Sequence, residues 1–299
     1  MASRIRRLIN VAIGSVLLAV MAACSPLKIL NALTPDGTFD KTEGIAYGRD
    51  PRQKLDVYVP RHPMLNAPVV VFFYGGSWNS GSRSDYSFVG EALASRGIVA
   101  VLADYRLYPQ VRYPLFLQDA AGAVAWTHDH IRQYAGNPQR LYLMGHSSGA
   151  YNVAMLALDP GLLGAVGLSP HNLSGWIGLA GPYDFLPIKN PEVRPVFFWP
   201  DSPPQSQPIN HVSRGAPPAL LMASTNDDVV NPTRNTGGLA LKLREVGCRY
   251  RTCISPAPAT PRWWRHCHAP CAVGRRCWTR SPRSSGQPRL SELGRTSRR

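Results

Sequence analysis

Residues 140–150 read RLYLMGHSSGA. RLYLM has the apolar, β-prone character of a strand buried in a sheet, and residues 150–158, AYNVAMLAL, carry the spacing of a helix. Between them lies Gly145-His146-Ser147-Ser148-Gly149, a G-x-S-x-G sequence. A strand, a very tight turn and a helix are what this pattern needs to make a nucleophile. The turn holds the serine backbone in a strained conformation, and the glycines leave room for it. Ser147 Oγ then projects above the carboxyl end of the sheet, with a helix N-terminus behind it that favours negative charge. A Gly/Ser-rich phosphate loop or a plain turn shares these letters. The strand before and the helix after select the nucleophile.

Upstream, residues 69–73 (VVVFF) form a continuous β-branched and aromatic run, as in a strand covered on both faces. The run leads directly into Tyr74-Gly75-Gly76-Ser77-Trp78. Acyl transfer needs backbone N–H groups aimed at a developing oxyanion. Glycines let the backbone come close without a Cβ in the way. The expected donors are Gly76, Gly75 and, after the nucleophile, Ser148. The competing reading is an ordinary Gly-Gly turn with Trp78 in the core.

Further strands are read at 54–59 (KLDVYV), 98–103, 176–180 and 219–223, and helices at 84–95, 115–134 and 235–246. CRYRTCIS, residues 248–255, begins another strand. Strands alternating with helices of this length imply an α/β fold: a mostly parallel central sheet with helices on both faces. Residues 186–214 are rich in Pro and lack periodicity, which predicts a lid-like insertion at one end of the sheet.

The chain resembles an α/β-hydrolase fold carboxylesterase, nearest to the kynurenine-formamidase-like and prenylcysteine-methylesterase-like group. FFYGGSW, ADYRLYP (103–109), GNPQRLYLMGHSSGA (136–150) and STNDDVVNP (224–232) carry the likeness. Tyr74 stands where many relatives have His, a residue that braces the loop rather than reacting. The resemblance implies hydrolysis of small carboxylic esters through an acyl-enzyme, with no cofactor and no metal. By the family's D-x-x-V pattern the triad acid is Asp227 rather than Asp228. It would hold the histidine tautomer and stabilise the imidazolium. The alternative is that both Asp residues cap the following helix. Asp104 and Asp184 read as structural loop carboxylates. The elbow does not separate ester from amide chemistry, so an arylformamidase remains a rival, as does a catalytically dead surface lipoprotein.

The chain order should be Ser, Asp, His. After Ser255 the text becomes PAPATPRWWRHCHAPCAVGRRCWTRSPRSSGQPR, without periodicity and almost without acids. Such a stretch supplies no closing helix. It reads as the product of a frameshift near Ser255. Two bases along, residues 258–266 can encode Gly-His-Ala-Ala-Val-Val-Ala-Ala-Leu, with the histidine codon straddling Ala259 and Thr260. The DNA around codon 255 tests this. As the chain is written, the expected position near Thr260 is not His, so activity is expected to be impaired by loss of the catalytic histidine; His266 is the substitute base candidate. His146 is expected to point away from the Ser147 face. Cys267, His268, Cys271 and Cys277 match no zinc spacing.

The chain has 299 residues and a net charge of +15. Residues 249–299 hold twelve Arg and a single acid, Glu292, and supply +11 of that charge. Residues 8–248 are close to neutral, which excludes a fold-wide polyanion-binding surface. No nucleic-acid partner is expected. At the other end, MASRIRR precedes the apolar run LINVAIGSVLLAV and then Met21-Ala22-Ala23-Cys24. This resembles a lipoprotein signal, in which Cys24 is lipidated and holds the chain on a membrane. The expected organisation is a signal at 1–23, a tether at 24–43, a hydrolase domain at 44–256 and an anomalous basic tail at 257–299. That organisation makes the protein exported, a periplasmic or cell-envelope lipoprotein.

Overall fold

The computed structural model describes residues 30–62 and 65–256. The expectations for Cys24, His266, the 1–23 signal and the 257–299 tail lie outside the described residues.

The described residues form one eight-stranded sheet in the order β1-β2-β4-β3-β5-β6-β7-β8. The strands are β1 Phe39–Ala46, β2 Lys54–Pro60, β3 Ala67–Phe73, β4 Val99–Ala103, β5 Gly136–His146, β6 Leu173–Leu179, β7 Ala219–Ser224 and β8 Tyr250–Ser255. β2 runs antiparallel to both β1 and β4, and every other pairing is parallel. The helices are α1 Ser87–Ala94, α2 Leu115–His130, α3 Ser148–Leu158, α4 Pro160–Gly164 and α5 Gly238–Glu245. β3 and β4 are buried along their whole length, so both faces of the middle of the sheet are covered. This is the mostly parallel α/β sheet that the alternation of strands and helices implied, in the α/β-hydrolase arrangement that the resemblance implied.

Register is what builds the site. Phe73 at the end of β3 pairs with Ala103 of β4 on one side and Gly145 of β5 on the other. The loops after β3 and β5 therefore leave the sheet side by side at its carboxyl edge.

Several element boundaries differ from the sequence reading, and three of the differences have a visible physical cause. The helix read at 84–95 is split into a 3-10 turn, Arg83–Tyr86, and α1, because Arg83 is pinned beneath it by Asp56 and Asp104. The helix read at 235–246 begins with a wide π turn, Thr233–Gly237, which lets the Asn235 side chain accept the Tyr183 and Asp184 N–H groups at 2.7 and 2.8 Å. The tether read at 24–43 is corrected at its end. Phe39–Glu43 belong to β1, and Asn31 already bonds Ser84 and the Phe88 N–H. β1 is an edge strand with mostly exposed, charged residues, so apolar alternation could not reveal it.

Residues 186–214 carry three short 3-10 turns, Arg194–Phe197, Pro204–Ser206 and Pro208–His211. They are fastened to the body: the Tyr113 N–H donates to Val196 O at 3.1 Å and Tyr151 Oη donates to Ser206 O at 2.7 Å. Phe197 is buried edge-on against Trp78 and Tyr151.

Candidate active site

β5 ends at His146, Ser147 turns the chain, and α3 starts at Ser148. Ser147 has φ 51° and ψ −120°, a conformation that L-residues avoid and that costs on the order of 1–3 kcal/mol. Its neighbours hold it there. The Ser147 N–H donates to Leu179 O at 2.8 Å, and the Tyr151 N–H donates to Ser147 O. A Cβ on Gly145 would run into the Gly149 carbonyl, and one on Gly149 into the carbonyl of Phe73. Both glycines of G-x-S-x-G are therefore required by the closeness of α3 to the ends of β3 and β5.

The loop after β3 bends through positive φ at Gly76, Ser77 and Trp78 (147°, 51° and 59°). It lies against the elbow: a Cβ built on Gly75 would be 2.9 Å from Ser147 Cβ. The fully buried Tyr74 stacks on Tyr105 at 4.8 Å between centroids, and its hydroxyl accepts from Arg52 at 2.7 Å. Arg52 also donates to Gly81 O and Tyr105 O, and the Tyr105 hydroxyl donates to Tyr74 O at 3.0 Å. Tyr74 thus braces the loop, as expected of a replacement for His. Trp78 is fixed from below, its Nε1–H donating to the buried Asn152 Oδ1 at 3.1 Å.

ADYRLYP has a structural explanation. Asp104 accepts from the Arg83 N–H at 2.8 Å and from its guanidinium. Arg106 grips the buried Asp119 with two side-chain bonds, 2.7 and 2.8 Å. These pairs hold Tyr105 in place under Tyr74. Asp184 forms an ion pair with Arg234 at 2.9 Å. Asp104 and Asp184 are both carboxylates of the scaffold.

Asp227 lies in the loop after β7, half-buried, and accepts the N–H groups of Val229 and Val230 at 3.0 and 2.8 Å. Asp228 is exposed. The Asp227 charge reaches His146, whose pKa burial nonetheless holds below the usual imidazole value. His146 does not turn toward Ser147 Oγ: its Nδ1 lies 3.0 Å from the Tyr86 hydroxyl.

A cavity of about 240 Å³ opens at the elbow. Trp78, Phe185, Ile188 and Val193 give it apolar walls, and Ser147 and Ser148 form part of its floor. No histidine is among its described lining residues. Among the described residues no three His, Cys, Asp or Glu side chains gather as a metal site. Sequence reasoning missed Arg52, Tyr86 and Asn152, which shape the site from outside its motifs. Each is an isolated polar residue whose partners lie 22 or more positions away, so no local pattern marks it.

The BD-FAE family model matches residues 55–243. The chain is 29% identical over 232 residues to a protein of Arabidopsis thaliana named probable isoprenylcysteine alpha-carbonyl methylesterase ICMEL1, covering 70% of this chain and 48% of that one. It is 29% identical over 187 residues to the kynurenine formamidase of Salmo salar, covering 62% and 60%. The chain thus spans about half the length of the curated relatives it matches. An inhibited esterase B from Lactobacillus rhamnosis superposes with a TM-score of 0.65 at 22% identity, covering 84% of this chain and 86% of that one.

Proposed function

The chain belongs to the BD-FAE family, and from that premise we propose that it is a serine hydrolase of small carboxylic esters. The observation that carries the reading is the strained Ser147 lining an apolar cavity, beside the Gly75-Gly76 loop. Ser147 Oγ attacks the ester carbonyl. The Gly76 and Ser148 amides hold the oxyanion, each worth about 3 kcal/mol in the transition state. The Gly75 amide is the further donor expected of the same loop. A histidine takes the serine proton and passes it to the leaving alcohol, Asp227 orients that histidine, and water then releases the acid from the acyl-enzyme. In the chain as written His266 is the substitute candidate for that histidine, and activity is impaired by loss of the family's base unless the reading frame is restored near Ser255.

Labelling with a fluorophosphonate and turnover of p-nitrophenyl acetate test the reading together. Wild-type protein is expected to label and to turn over at a rate reduced by the missing family histidine, and Ser147→Ala to do neither. Absence of both from the wild type refutes it. The likeness to a kynurenine formamidase supports one rival, amide hydrolysis at the same elbow. A parallel assay on N-formylkynurenine separates the two by kcat/KM. The proposal extends to location: an exported chain held on a membrane by a lipid at Cys24.

A further inference from the structure

The turn Arg194–Phe197 has two faces. Inward, Phe197 is buried edge-on against Trp78, a wall of the cavity. Outward, the next two residues stand in solvent: Phe198 is 42% exposed and Trp199 46%. Phe198 has φ 58° and ψ 31°, the left-handed region that a bulky side chain avoids. Burial would account for such strain, yet much of this ring is left in water. Arg112 stacks over the Phe198 ring at 5.6 Å and over the Tyr108 ring at 5.6 Å, and Arg194 over Trp199 at 4.4 Å. The Leu115 N–H donates to Arg112 O at 2.8 Å, and the Leu115 side chain is exposed too. Single apolar residues on a surface are ordinary, but a contiguous set of rings marks a contact. Neither guanidinium pairs with a carboxylate among the described residues. Lys189 adds an exposed cation to the segment, and Glu192 and Asp201 two exposed acids, so the charge that matters is the pair stacked on the rings.

The patch lies at the carboxyl edge of the sheet, since Tyr108 follows β4 and its N–H donates to Trp78 O at 2.8 Å. The chain enters the fold at that same edge. Asn31 donates to Ser84 O at 2.7 Å, and Ser84 belongs to the turn that ends at Tyr86, whose hydroxyl lies 3.0 Å from His146 Nδ1, next to Ser147. Leu33, close to this entry, is 75% exposed. Leu30 is six residues from Cys24. Six residues reach at most about 20 Å, whereas a domain of this size is about 45 Å across. A lipid at Cys24 therefore brings the carboxyl edge to the bilayer and keeps the opposite edge off it. Aromatic rings settle at the headgroup level of a membrane, and arginines are drawn to anionic headgroups. From these placements we infer that Tyr108, Arg112, Phe198 and Trp199 form a docking surface for an anionic phospholipid membrane, with the cavity beside it. The orientation rests on the proposed lipid at Cys24; the patch itself rests on its exposed rings and cations.

Fluorescence quenching tests this. Protein expressed from the complete gene, signal included, is reconstituted into phosphatidylglycerol vesicles whose acyl chains either carry bromine or lack it. Bromine quenches an indole only on close approach, so it reports a ring that has entered the lipid. The emission of Trp199 is the difference between wild type and Trp199→Phe. That emission is expected to fall by about half or more in brominated phosphatidylglycerol, and much less in brominated phosphatidylcholine, which carries no net charge. Arg112→Gln combined with Arg194→Gln is expected to reduce the loss in phosphatidylglycerol to the phosphatidylcholine level. Trp199 emission untouched by bromine overturns the docking, as does shielding that appears only when the protein self-associates, which assigns the patch to a second copy. Equal quenching in the two lipids, or a double variant quenched like wild type, overturns the choice of an anionic surface. No hydrolysis is read, so the result stands apart from the role of Ser147. The intact mass of the same preparation reports the lipid: quenching of a chain without it upholds the docking and overturns the tether as its cause.

Discussion

His146 is a histidine that the fold keeps uncharged beside a nucleophile. Its pKa is lowered by burial, against the pull of Asp227. In the unfolded chain the imidazole takes up its proton near the ordinary pH of about 6.5. In the folded chain it does so only at lower pH. Between those values the unfolded state binds more protons, so stability present above about pH 6.5 is lost as the pH falls, by at most about 1.4 kcal/mol per pH unit from this group. Urea unfolding across pH 5–8 checks this: the wild-type slope is expected to be steeper than that of His146→Asn. An equal slope in the two proteins rules out a buried neutral His146. G-x-S-x-G and the Gly75-Gly76 pair were legible in the sequence because backbone crowding leaves room only for glycine at such positions. Tyr86, Arg52 and Asn152 were not, because their contacts are made across the fold rather than along the chain.

The loop after β4 is as much a part of the site as the elbow. Arg106 neutralises Asp119, a carboxylate only 2% exposed on α2, and Gln53 of the segment before β2 bonds the same group at 2.8 Å. Cutting one partner of such a pair leaves a buried charge, at a cost of about 3–5 kcal/mol. Arg106→Ala is expected to lower the urea midpoint accordingly. Adding Asp119→Leu should recover part of the loss, and a single variant with wild-type stability refutes the account. Strands β3 to β7 could be read from apolar runs because the sheet buries them. β1 could not, since Lys41, Thr42 and Glu43 face outward or pair at the edge. The 3-10 and π turns before α1 and α5 escaped notice because side chains of distant elements, Arg83 and Asn235, dictate them.

At the scale of the molecule, charge and cysteine are concentrated at the ends. Of that positive charge, +9 falls at residues 257–299, which with Cys24 lie outside the residues the structure describes, and the fold between them is close to neutral. Lipidation makes a definite statement about mass. The mature protein is expected to begin at Cys24 and to exceed its polypeptide mass by a diacylglyceryl group and a further acyl chain; intact-mass measurement of envelope material checks this. A mature terminus elsewhere, or an unmodified Cys24, rejects the anchor.

The cavity draws on the loop after β3, the elbow after β5, residues 182–193 and residues 229–235 near the start of α5. Those segments span more than half of the chain, and the parallel strands beneath them pair only through long crossovers. Contacts so distant in sequence form late in folding. A nascent chain that has just released its G-x-S-x-G from the ribosome thus possesses a hydroxyl but no chamber to use it in. Chemistry is postponed until residues 229–235 have followed and docked, and acquisition of serine reactivity becomes a clock for the completion of the fold.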